Sequence, residues 1–137
     1  MTSEPPSGAP VPADPLVLIV DDDERNRKLA RDVLGRSGLR TIAAAGGRAA
    51  LALARDRLPD VVLLDLRLPD MDGRDVVRAL REDGRTAHIP IVALTALRYP
   101  DGGTRLLADG FLDYLEKPID VRTFPEQVRR YCGHPRA

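Results

Sequence analysis

The chain predicts an α/β fold: a doubly wound sheet of five parallel strands in the order 2-1-3-4-5, with five helices. Three observations lead there. Short apolar runs alternate with amphipathic stretches, the mark of successive βα units. The runs at 16–20, 61–64 and 91–94 are apolar throughout, as strands covered by helices on both faces must be. Each run is closed by a polar residue: Asp21 and Asp22, then Asp65, then Thr95, with Lys117 after a fourth run. In an open parallel sheet those carboxyl ends border the crevice where ligands bind, at the point where the strand order reverses.

Residues 1–14 carry Pro5, Pro6, Pro10 and Pro12 among Ser, Gly and Ala. They have almost nothing to bury and read as a disordered leader. The first strand is expected at 16–20 and the first helix at 24–36. There Ala30 with Leu34 and Leu29 with Val33 recur four apart, giving one apolar face. Asp23 and Glu24 suit that helix's first turn, where the macrodipole favours anions. Gly38 is a plausible left-handed end, followed by a strand at 39–44 and a helix at 47–57. The third strand, 61–65, leads through Asp70 and Asp72, read as turn or cap residues, into a helix at 73–83. Val76, Val77 and Leu80 form its buried face, and Gly84 is read as its left-handed end.

A fourth strand at 90–94 precedes the least regular stretch. Tyr99-Pro100-Asp101-Gly102-Gly103 is poor helix material, because each Gly costs about 1 kcal/mol relative to Ala. The helix sketched at 101–109 therefore either begins late, near Gly103 or Thr104, or the segment is mobile. A strand at 112–116 and a helix at 121–131 complete the pattern. Phe124, Val128 and Tyr131 line that helix, and Pro125 is tolerable in its first turn. Gly133 opens a short tail, 133–137; Cys132 and His134 are read with the tail and show no chemistry.

Composition narrows the function classes. Of the 137 residues, 43% are hydrophobic and 31% charged, ordinary for a globular domain of this size. Lys plus Arg equals Asp plus Glu at 21 each, so no basic excess points to nucleic acid. No apolar stretch nears the ~18 residues of a membrane span, and the N-terminus lacks the layout of a secretory signal. The single cysteine excludes an internal disulfide and fits a reducing, cytoplasmic compartment. His88, before a strand, reads as structural or solvent-facing. No Gly-rich phosphate loop and no Ser/His/Asp arrangement is present.

The polar strand ends carry the chemistry. A single aspartate there is usually a turn former, but three strands delivering reactive side chains to one edge, with a lysine from a fourth run, are hard to obtain from structural needs alone. Clustered carboxylates repel one another and would protonate without a counter-charge. A Mg²⁺ ion answers this, since it takes oxygen ligands and keeps several waters. It can also screen an incoming phosphoryl group and stabilise its transfer to a carboxylate nucleophile.

The segments Val20-Asp21-Asp22-Asp23-Glu24, Leu64-Asp65-Leu66-Arg67-Leu68-Pro69-Asp70-Met71-Asp72-Gly73, Ala93-Leu94-Thr95-Ala96 and Tyr114-Leu115-Glu116-Lys117-Pro118 resemble the receiver domains of two-component response regulators. The four motifs occur in that family's order and at its intervals, and the resemblance covers about 16–132. It implies a flavodoxin-like receiver domain over 15–132. In it Asp65 is the phospho-acceptor, Asp22 a direct Mg²⁺ ligand, Asp21 a ligand through water, and the Arg67 carbonyl the third protein ligand. It implies that Thr95 and Tyr114 are a switch pair, that Lys117 senses the phosphate, and that the Lys117-Pro118 bond is cis. Phosphorylation would draw the Thr95 hydroxyl inward and let Tyr114 rotate. That would change the face made by the fourth helix, fifth strand and fifth helix. The domain would catalyse only its own phosphorylation and dephosphorylation.

Two positions depart from chemotaxis-type members of that family. Arg67 places a long cation at the pocket mouth, and Leu97 is apolar two residues after Thr95. Either both are plain loop residues, or Leu97 fails to hold a hydrolytic water and the acyl phosphate is long-lived. The run 110–120 resembles single-domain regulators of the cell-cycle type, and the length after Lys117 leaves room for one helix and no output domain. A stand-alone regulator is therefore expected, a monomer or a phosphorylation-dependent homodimer. Its partners would be a sensor histidine kinase or histidine phosphotransfer protein and a downstream protein, with no nucleic acid and no membrane. One rival is a receiver-like binding module that works without phosphorylation. The other is an aspartyl phosphohydrolase, against which Arg67 stands where such enzymes usually carry a second acid.

Overall fold

In the computed structural model, which describes residues 14–96 and 104–132, the elements run β1 (Leu16–Val20), α1 (Glu24–Arg36), β2 (Arg40–Ala44), α2 (Gly47–Arg57), β3 (Val61–Asp65), α3 (Gly73–Glu82), β4 (Ile91–Thr95), α4 (Thr104–Ala108), β5 (Asp113–Glu116) and α5 (Phe124–Cys132). All strand pairs are parallel and the order is β2-β1-β3-β4-β5. The expected fold and strand order therefore hold. Residues 1–13 of the expected leader, Leu97, the segment 99–103, Gly133 and the tail with His134 lie outside the described residues.

Alternation along the strands divides the core. Val17, Ile19, Val61, Leu63, Val92 and Leu94 face α1 and α5, whereas Leu18, Val20, Val62, Leu64, Ile91 and Ala93 face the side of α2 and α3. Every residue of β1, β3 and β4 is buried, and this continuous burial is what the three wholly apolar runs encode. Pairing in register, Val20 with Leu64 and Asp65 with Leu94, brings the carboxyl ends of the three strands to one edge.

Helix starts follow the expected chemistry. Asp23 caps α1 by accepting the Arg25 N–H, and Asp72 caps α3 by accepting that of Arg74. Pro125 sits in the first turn of α5, and Gly38 has a left-handed φ of 85°.

Four details differ from expectation. In α1 the buried stripe is Ala30 and Leu34, and Leu29 is exposed, because the helix meets the sheet along a narrower line than the sequence pattern spans. Gly84 is not left-handed: α3 ends in extended backbone at Asp83, whose carboxylate accepts the Arg85 N–H. The left-handed positions the sequence did not reveal are Leu58, closing α2 with φ 49°, and Gly110, with φ 109°. Cys132 belongs to α5 rather than the tail, since Phe124, Val128 and Cys132 repeat four apart on the buried face.

One cation ties the fourth βα unit to the third. Arg81 of α3 donates to the carbonyls of Ala87 and Ile89, both at 2.7 Å, and of Gly110 at 2.9 Å. A methyl group at Gly110 would meet Val77 at 2.9 Å, so both backbone angle and space require glycine there.

Candidate functional site

Three strand ends and the segment after β5 converge on one cleft of about 580 Å³. Asp21, Asp22, Asp65, Arg67, Thr95 and Lys117 all line it. Asp21 directly follows β1, and its backbone N–H donates to the Ala44 carbonyl, extending the sheet by one bond. Its side chain turns back, so that one oxygen accepts the Asp23 N–H at 2.9 Å. Asp65 ends β3, and its Oδ1 accepts the Arg67 N–H at 2.9 Å, which fixes the chain as it leaves the strand. Thr95 ends β4 and is buried; its carbonyl accepts the Lys117 N–H at 2.8 Å, setting that lysine beside it.

The Lys117 amine donates to Asp21 Oδ2 at 2.9 Å and to Asp65 Oδ2 at 3.0 Å. Burial alone disfavours its charge. The two hydrogen bonds and the two carboxylate charges outweigh that, so its pKa lies above the ordinary lysine value. The counter-charge that the acidic cluster requires is thus partly built into the protein. One carboxylate oxygen from each of Asp21, Asp22 and Asp65 lies within 4.8 Å of the others. This all-oxygen donor set, two members buried and Asp22 exposed, suits a hard divalent cation that retains water.

Arg67 is exposed at the mouth of the cleft, as its place in the sequence suggested. Tyr114 stands outside the cleft. It is half-buried against the α2–α3 side of the core and pairs with Ala93, two positions before Thr95. The Lys117-Pro118 bond is cis, as the resemblance implied.

Sequence reasoning missed Asn26 and Arg74, which line the cleft, and Arg27, whose guanidinium donates to the Asp21 carbonyl at 2.7 Å. Arg74 also pairs with Asp109 at 2.9 Å, linking α3 to the end of α4. A signal was available: all three lie in first turns of helices that follow sheet-edge aspartates, and such turns border the crevice.

A doubly wound sheet with acids, a hydroxyl and an amine gathered at its reversal point places an oxygen-rich cleft where open parallel sheets bind ligands. Comparison with known proteins is specific. The response regulator receiver domain family matches residues 17–129, and the chain belongs to that family. The polar-differentiation response regulator DivK of Brucella anthropi is 40% identical over 117 residues, covering 85% of this chain and 95% of the relative. The structure of the chemotaxis response regulator CheY4 of Vibrio cholerae superposes with a TM-score of 0.81 at 31% identity, over 87% of this chain and 99% of that one. The receiver domain of the sensor histidine kinase PA1611 of Pseudomonas aeruginosa superposes with a TM-score of 0.78 at 31% identity. It covers 88% of this chain and 99% of that one, and carries a magnesium ion coordinated in its active site cleft. Among the described residues, no helix is long and apolar enough to cross a membrane.

Proposed function

We propose that this chain is a single-domain response regulator, a receiver unit over 15–132. Asp65 takes a phosphoryl group from the phosphohistidine of a sensor histidine kinase or histidine phosphotransfer protein in the cytoplasm. One observation carries the reading: the Lys117 amine holds Asp65 and Asp21 side by side at 3.0 and 2.9 Å, with an Asp22 oxygen within reach of both.

In the transfer, an Asp65 oxygen attacks phosphorus as the bond to the histidine nitrogen breaks. Asp21, Asp22, Asp65 and the Arg67 carbonyl are the residues that would hold Mg²⁺, which when bound offsets their charge and withdraws charge from the phosphoryl oxygens. Lys117 follows the new phosphate as a point charge, and Thr95 donates its hydroxyl to a phosphoryl oxygen. The same groups would serve the domain's own dephosphorylation.

The readout runs through Thr95 and Tyr114. Tyr114 pairs with Ala93 on the neighbouring strand and is half-buried, so movement of Thr95 toward the phosphate alters the packing beside the ring. The surface of α4, β5 and α5 changes with it and docks on a downstream protein, the regulator remaining monomeric or pairing with a second copy. Incubation with Mg²⁺ and a small phosphodonor, followed by intact-mass measurement, tests the reading. Wild type should gain one phosphoryl group, and Asp65→Asn should gain none. Equal uptake by the two proteins, or uptake by neither, would end it.

A further inference from the structure

Helix α2 begins without a cap of its own. Its N-cap is Gly46, which has no side chain to satisfy the first N–H groups. Those of Gly47 and Arg48 donate instead to the two carboxylate oxygens of Asp70, at 2.8 and 3.1 Å, from 23 and 22 residues away. Asp70 lies in the loop 66–72, between the end of β3 and α3, three residues after Arg67. Other polar ties of that loop among the described residues are short-range: Arg67 N–H to Asp65, the bridge between Arg67 and Asp72, Arg74 N–H to Asp72, and Gly73 N–H to the Leu66 carbonyl. The Asp70 bonds connect the loop to a separate element.

The approach is close enough to dictate sequence on both sides. A methyl group at Gly46 would sit 2.8 Å from an Asp70 oxygen, and one at Gly47 would sit 2.8 Å from the Met71 sulfur and 2.9 Å from Val76. Helix capping alone does not call for this, since Ser, Thr or Asp at position 46 would cap the helix locally. A cap supplied from the loop does something a local cap cannot: it holds the loop in place.

We infer that Asp70 is a positioning residue for the metal, using the N-terminus of α2 as a strut that holds the Arg67 carbonyl where it serves as a ligand. The inference rests on the reading above that the Arg67 carbonyl binds Mg²⁺. Asp70 itself never touches the ion. Supporting groups of this kind tune metal affinity by orienting the ligands.

The test separates capping from tethering in the full chain. Mg²⁺ affinity is measured by calorimetric titration with MgCl₂, and stability by urea unfolding, for wild type, Asp70→Ala and the double variant Gly46→Ser/Asp70→Ala. Asp70→Ala should lose stability and bind Mg²⁺ roughly tenfold more weakly. In the double variant the serine side chain occupies the space the carboxylate leaves and caps α2 locally. Stability should recover while Mg²⁺ affinity stays at the weakened value. Wild-type affinity in the double variant, or in folded Asp70→Ala, would overturn the inference. A wild-type protein that takes up no Mg²⁺, or binds it unchanged after Asp22→Asn, would instead overturn the reading it rests on.

Discussion

The two sides of the cleft are built differently. On one side, β1 and β3 are buried at every position, and the loop leaving β3 is held by an Asp65 turn, a bridge and the Asp70 carboxylate. On the other, β5 is an edge strand with exposed and half-buried positions, and the described α4 is five residues long. The acids that must keep their spacing stand on the first side, and the surface proposed to change stands on the second. A signalling domain needs both: one side over-determined, so that charge placement is fixed, and one side thin enough for a local event to shift it.

The largest expected effect probes how far the rigid side extends. Cys132, the last residue of α5, is buried against it, and that burial, reinforced by the charge of Asp60, pushes its thiol up to about 12. Alkylation at pH 8 should then be roughly 1000-fold slower in native protein than in urea. Because the folded pKa lies above the unfolded value, the stability tied to the neutral thiol is full below pH 9 and is lost as pH rises toward about 12. Native and denatured proteins labelling at the same rate would place the end of α5 with the thin side.

Arg81 bolts the two sides together. Arg81→Met removes three bonds from a cation to the carbonyls of Ala87, Ile89 and Gly110, and should cost about 2–4 kcal/mol in urea unfolding. Lys117→Met is expected to cost about 2 kcal/mol without metal, since it leaves Asp21 and Asp65 facing each other without the amine. Adding MgCl₂ should restore most of that loss, and a deficit indifferent to Mg²⁺ would argue that the lysine's role is packing. The smallest effect lies at Leu58, exposed and left-handed at the end of α2. Leu58→Gly should raise stability by about 1 kcal/mol in the same assay, with phosphoryl uptake unchanged.

Much of this was legible before any coordinates. The wholly apolar runs announced buried parallel strands, Asp23 and Asp72 announced helix starts, and the strand-end residues 21, 22, 65, 95 and 117 announced the cleft. Those features are local: each depends on the period of side chains along a few residues, or on one side chain reaching a backbone N–H two positions on. Asp70 shows where such reading stops. The sequence reads it as a turn or cap residue, but cannot say which helix it serves: its carboxylate accepts the first N–H groups of α2, 23 and 22 residues earlier in the chain. Gly84 shows the same limit, since α3 ends in extended backbone at Asp83, whereas a left-handed glycine falls after α4, at Gly110, where Val77 leaves no room for a side chain.

The amino-acid order by itself determined the sheet, its strand order and which acids would meet at its edge, because hydrophobic periodicity and parallel crossovers leave few alternatives. Tertiary structure alone decided how those acids are held: that Lys117 bridges Asp21 and Asp65, that Arg81 gathers three carbonyls, and that Asp70 ties the β3–α3 loop to α2. Such pairings join residues far apart in the chain, and no periodicity encodes them. They form only after the sheet has brought the elements within hydrogen-bonding distance.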